Sequence, residues 1–168
     1  LVLRGSEGEV SVKLTYTFSP VDYQVGVRGR IEGLGPQGGQ VRLALGSGIN
    51  NTEVDSVDNF RLASLVTHQD GTKRHDFAGF DPGQPMSFPG PIDWAAVKSK
   101  YFVAGILAFD STGGRLSEVS ATAPVNAGKR PTQVRVMLGM PVTASGEFAY
   151  TLYAGPMEYE RLSRLGRD

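Results

Sequence analysis

The sequence predicts a mainly β protein, an antiparallel β-sandwich that ends in a short C-terminal α-helix. Three observations carry this reading. VSVKLTYTFS (10–19) alternates strictly, with Val10, Val12, Leu14, Tyr16 and Phe18 on one face and Ser11, Lys13, Thr15, Thr17 and Ser19 on the other. That is the period of a half-buried strand. Segments of similar character recur along the chain between short turns rich in Gly, Pro, Asp and Asn. Only the last residues, 156–168, carry apolar side chains at helical spacing.

Taken in order, YQVGVRGRI (23–31) resumes the alternation after the turn Ser19-Pro20-Val21-Asp22, so it forms an antiparallel hairpin with 10–19. GLGPQGG (33–39) is a loop and QVRLAL (40–45) a further strand. GSGINNTEVDSVDN (46–59) is polar and irregular. FRLASLVTH (60–68) reads as a strand that turns at Asp70-Gly71 into TKRHDF (72–77). FDPGQPMSFPGP (80–91) contains Pro82, Pro85, Pro89 and Pro91, which argues against a regular element. IDWAAVKSK (92–100) reads as a helical turn with Asp93 as its N-cap. YFVAGILAF (101–109) is a continuous apolar run, as expected of a central strand covered on both faces. LSEVSATA (116–123), QVRVMLGM (133–140) and EFAYTLYA (147–154) complete a set of about ten strands. Each such strand needs one buried face, and two packed sheets supply it.

The domain boundaries follow: 1–155 is the sandwich and 156–168 the helix. Gly155 ends the last strand and Pro156 suits a first helical turn. Met157, Tyr159, Leu162 and Leu165 share a helical stripe. Glu158 and Glu160 sit near the positive end of the helix dipole and Arg164 near the negative end, with Gly166 as the stop. A helix shorter than about 12 residues is marginal alone in water. It must pack on the sandwich or continue into further chain.

Composition sets limits on function. The chain has 168 residues, enough for one domain with its own core. Its 17 basic and 17 acidic side chains cancel, so net charge draws it neither to nucleic acid nor to an anionic membrane. The absence of cysteine excludes a disulfide scaffold, thiol catalysis and zinc–thiolate sites. No apolar run is long enough to cross a bilayer as a helix. Leu1 in place of an initiator Met fits a piece of a longer chain.

Few residues suggest chemistry. His68 and His75 flank the Asp-Gly turn. A two-residue loop would pair His68 with Lys73 and Val66 with His75, making the histidines diagonal neighbours on one face. Lys73 and Arg74 oppose a cation there, so a solvated hairpin tip is the preferred reading over a metal site. Glu53, Asp55 and Asp58 cluster in an oxygen-rich loop, but their spacing matches no EF-hand. Asn50-Asn51-Thr52 is formally a glycosylation sequon. There is no G-x-S-x-G elbow, and neither histidine has a recognisable triad setting. Paired carboxylates of the glycosidase kind meet in space and leave no sequence signature. GLGPQGG and GSG lack the lysine and the strand–loop–helix setting of a phosphate cradle. No cofactor, metal ligand or catalytic residue is assigned. Trp94 and Tyr101 are the candidates for a ligand or partner surface, against a core role for Trp94.

Three segments resemble the large periplasmic domain of the YidC family of bacterial membrane protein insertases. VKLTYTFSPVDYQVGV resembles its strand–turn–strand, IDWAAVKSKYFVAGIL its tryptophan stretch, and YTLYAGPMEYERLSRLG its closing strand, Gly-Pro and leucine helix. They occur in the family's order. The resemblance implies a β-supersandwich lying between two transmembrane helices on the periplasmic side of the inner membrane. It implies a connector helix, clamped by Met157, Tyr159, Leu162 and Leu165, that leads toward the membrane-embedded part. It also implies a non-catalytic accessory domain, with Sec translocon components and nascent membrane proteins as partners. The rival is a free-standing carbohydrate-binding or carbohydrate-processing sandwich. That rival requires an exposed aromatic platform at Trp94 or Tyr101, where the insertase reading expects both rings to be buried.

Overall fold

A computed structural model of the chain describes residues 1–49, 56–109, 114–128 and 131–158. The described residues form twelve strands in two sheets, with one short α-helix and one 3-10 turn. The antiparallel sandwich is therefore observed. Its strands are β1 (Val2–Glu7), β2 (Val10–Phe18), β3 (Gln24–Glu32), β4 (Gly39–Ala44), β5 (Ser64–His68), β6 (Thr72–Asp76), β7 (Pro85–Ile92), β8 (Trp94–Lys98), β9 (Phe102–Phe109), β10 (Leu116–Thr122), β11 (Arg135–Val142) and β12 (Glu147–Pro156). The helix α1 is Ser56–Leu62, and Phe77–Gly79 is the 3-10 turn. The large sheet runs β1-β2-β3-β12-β9-β8-β5-β6 and the small one β4-β11-β10-β7. Every ladder between named strands is antiparallel.

The core lies between the sheets. Leu65, Ala95, Val97 and Ile106 of the large sheet meet Leu116, Val119, Val136, Leu138 and Met140 of the small one. Burying a side chain of this kind stabilises the fold by about 1.5–3 kcal/mol. Because successive strand residues face opposite ways, Trp94 and Ala96 fall on the outer face of the large sheet while Ala95 and Val97 fall inside. Outside, Trp94, Ala96, Val103 and Tyr153 form a second, smaller apolar cluster with Val66 packed against it.

Eight strands face four, so the large sheet overhangs as a wing of β1 and β2. The predicted hairpin of 10–19 with 23–31 is present, with Leu14 opposite Gly29 and Tyr16 opposite Val27. Val12, Leu14 and Tyr16 are only half-buried and all of β1 is exposed.

Several expectations are corrected. β1 was not expected, since VLRGSE has no alternation. Residues 56–62 are helical, so the strand expected from Phe60 begins only at Ser64. The proline-rich 85–92 segment is a strand at the edge of the small sheet, where a proline leaves no central ladder broken. Residues 94–98 form a strand, not a helical turn, and its first four residues are all buried. Asp93 is consequently no helix cap. Gly155 and Pro156 stay within β12, pairing with Val103 and Phe102. Most of the expected C-terminal helix, including Tyr159, Leu162 and Leu165, lies outside the described residues.

Candidate interaction surface

The two candidate aromatics lie in different surroundings. Trp94 is only 8 % exposed. Its indole stacks on the His68 ring with centroids 5.5 Å apart and planes 14° off parallel. His68 Nδ1 is 3.2 Å from Asp93 Oδ2, and Arg115 Nε donates to Asp93 Oδ1 at 2.9 Å. One carboxylate thus holds both a guanidinium and the imidazole that stacks on the indole. The Asp93 backbone N–H also donates to the His68 carbonyl at 2.8 Å. Trp94 is therefore a buried, stacked ring.

Tyr101 departs from the insertase reading, being 44 % exposed. It stands in the tight turn from β8 to β9, which Ser99 holds. The Ser99 hydroxyl oxygen accepts from the N–H of Phe102 at 3.1 Å, and Ser99 N donates to the Phe102 carbonyl at 2.8 Å. A turn this short leaves its middle residues outside the sheet. The Lys100 ammonium lies 5.0 Å from the Tyr101 ring centre, an exposed cation–π contact.

The departing end of β12 runs beside this turn. Met157 N donates to the Tyr101 carbonyl at 2.7 Å, and the Tyr153 hydroxyl to the Pro156 carbonyl at 2.7 Å. Tyr23 stands edge-on to Tyr153, centroids 6.3 Å apart, and its ring fills the space that a side chain at Gly155 would need. Ala154 N donates to the Tyr23 carbonyl at 2.9 Å. Tyr23, Tyr101, Phe102 and Met157 are all exposed here, gathered where the chain leaves the sheet. The alternation of 23–31 counted Tyr23 among the buried positions, and Phe102 fell in the continuous apolar run 101–109, expected to be covered on both faces. Their place just after a turn, at the rim of the sheet, was the available signal.

The histidine pair does not form. The β5–β6 hairpin pairs His68 with Thr72, Val66 with Arg74 and Leu65 with His75. The register is one residue away from the two-residue-loop expectation, which puts the two rings on opposite faces. His75 points inward. Its Nε2 is 3.3 Å from the Thr67 hydroxyl and its ring centre 4.2 Å from that of Phe88. Burial first and Lys73 second push the His75 pKa down, with Asp76 acting in the opposite sense. Among the described residues no group of three metal-ligating side chains occurs. Asn50, Asn51, Thr52, Glu53 and Asp55 lie outside the described residues, as does the side chain of Asp58.

Fold and surface together define an antiparallel sandwich domain whose exposed aromatic collar surrounds its departing last strand. The chain belongs to the YidC periplasmic domain family, which matches residues 1–168. It is 27% identical over 164 residues to a membrane protein insertase YidC of Chloroherpeton thalassium, covering 94% of this chain and 28% of that protein. The corresponding protein of Chlorobaculum tepidum is 26% identical over 162 residues, with 94% of this chain and 27% of the relative covered. That of Geobacter sp. strain M21 is 24% identical over 159 residues, covering 94% and 29%. The chain thus spans little more than a quarter of the relatives it matches. None of its described helices is long and apolar enough to cross a membrane.

Proposed function

We propose that this chain is the periplasmic domain of a membrane protein insertase and assists insertion and folding of inner-membrane proteins. In this reading it is a non-catalytic accessory surface, held on the periplasmic side of the inner membrane within a multi-pass protein. The observation that carries the reading is the family match along the whole chain, with insertase relatives covered over 94% of it. The aromatic collar of Tyr23, Tyr101 and Phe102 is the surface offered to partners, either Sec translocon components or nascent membrane segments. Residues 156–168 serve as the connector toward a transmembrane segment, with Met157, Tyr159, Leu162 and Leu165 packing it to the sandwich.

The carbohydrate reading needs a platform of exposed rings. Trp94 is buried and stacked, and the family and relatives that the chain matches are those of the insertase, so this reading is not favoured.

The test is site-specific photo-crosslinking in the full-length insertase, with the probe at Phe102 and a control probe at Arg42 on the small sheet. Crosslinks from Phe102 to translocon subunits or newly made membrane proteins, absent from Arg42, are expected. Equal labelling from both positions, or none from Phe102, would reject the collar as the working surface.

A further inference from the structure

The zero net charge of the chain conceals a segregated surface. On the outer face of the wing, Arg4 of β1 stands directly opposite Lys13 of β2, and Lys13 directly opposite Arg30 of β3. Arg28, two residues before Arg30, shares that face. Like charges placed opposite each other weaken a sheet, so this row of cations is not explained by folding. Arg30 is neutralised by Glu147 at 3.1 Å and Glu32 at 3.4 Å. Arg4, Lys13 and Arg28 are exposed and have no ion-pair partner among the described residues.

A cavity of about 400 Å³ on the wing includes Arg4, Ser6, Ser11, Lys13 and Arg30 in its lining, with Glu32 at its side, and one of about 530 Å³ places Lys13, Thr15, Arg28 and Arg30 together with Glu147 and with Met140 and Pro141 of the small sheet. With Glu32 and Glu147 engaged by Arg30, the cations left over in the first cavity, Arg4 and Lys13, stand beside the hydroxyl donors Ser6 and Ser11, the chemistry that recognises a phosphate oxygen. Val2, about half exposed and two residues before Arg4, borders the patch on β1. A basic surface with an apolar margin suits the boundary of an anionic bilayer, where headgroup phosphates meet the cations and the margin enters the interface.

We infer that the outer face of the wing, centred on Arg4, Lys13 and Arg28, docks the domain on the phosphate headgroups of anionic phospholipids. This goes beyond the accessory role proposed above and rests on a different part of the molecule from the aromatic collar. Loss of one function would leave the other measurable.

The experiment is flotation of the 168-residue chain with phosphatidylcholine vesicles, with and without a minority of phosphatidylglycerol. Binding only to the anionic vesicles, weakening as salt rises, is expected. Lys13→Ser with Arg28→Ser lowers partitioning about fivefold per cation removed, on the usual scale for basic residues at such surfaces. Arg42→Ser with Arg135→Ser, on the small sheet, makes the same charge change and leaves binding unaltered. Equal loss in both double variants would overturn the assignment, because net charge alone would then account for binding. The salt series on the unaltered chain decides the matter without any variant: salt-independent binding, or none, also overturns it. Capture of a polyglutamate peptide without vesicle binding would make the patch a protein-binding surface instead. Saturable binding of glycerol phosphate without vesicle binding would make it a site for soluble phosphate.

Discussion

The ring of Phe148 on β12 lies over Gly29 on β3, in the space that a side chain at position 29 would occupy. The two residues face each other directly across the ladder, so the ring settles on bare backbone. Phe148 also packs against the main core. Gly29→Ala is expected to force the ring aside and to cost about 1–3 kcal/mol, as overpacking does. Urea denaturation of the variant measures this, and an unchanged midpoint would show that the ring moves away freely.

Leu138 is fully buried at the centre of the small sheet, between β4 and β10. Leu138→Ala should cost about 2–5 kcal/mol through lost transfer energy and a residual cavity. The same denaturation assay reads it. A loss below about 1 kcal/mol would mean that the sheets close over the gap.

Trp94 is the sole tryptophan, so its fluorescence reports one place. With 8 % exposure it should be quenched only weakly by acrylamide. Removing its stacked neighbour with His68→Ala should raise the quenching constant while the domain stays folded by circular dichroism. Easy quenching of the unaltered chain would contradict the buried position and return Trp94 to the ligand candidates.

The sign of the His75 effect is fixed by its environment. Burial and Lys73 lower its folded pKa below the ordinary 6.5, so between those two values the unfolded chain binds more protons. The stability it contributes is whole above 6.5 and is lost as pH falls through the lowered folded value. His75→Gln removes this titration. The difference in unfolding free energy between the variant and the unaltered chain should therefore change between about pH 7.5 and about pH 5. A difference constant across that range would show that the ring is as free to protonate folded as unfolded.

The proposed connector helix makes its own prediction. Leu162→Asp places a charge in the stripe that would pack on the sandwich, and is expected to lower the melting temperature of the 168-residue chain. An unchanged melting temperature would mean that the connector packs elsewhere.

The sequence disclosed elements where one physical rule acted alone. Strict alternation located β2 and β3, and continuous hydrophobicity located β9. It misled where two rules competed. In β8, Trp94-Ala95-Ala96-Val97 is buried on both faces, and the small alanines that fit there also favour helices. In β7, the prolines signal a loop, and only the strand's place at the edge of the small sheet reconciles them with a ladder. The histidine pair turned on one residue of hairpin register, which turn signals such as Asp-Gly do not fix alone. The aromatic collar and the cation row are assembled from β1, β2, β3, β9 and β12. Positions so far apart along the chain become neighbours only through strand order.

That order has a consequence for how the domain is made. Among the described residues, two blocks, β1-β2-β3 and β9-β8-β5-β6, share the large sheet solely through β12, the last of the described strands in chain order. Until residues 147–156 arrive, β3 and β9 each present an unpaired edge, and β9 is among the most apolar stretches of the sequence. The fold is therefore completed late, by the same segment from which the chain continues. Made in chain order, the large sheet stays in two open-edged halves until its closing strand joins them.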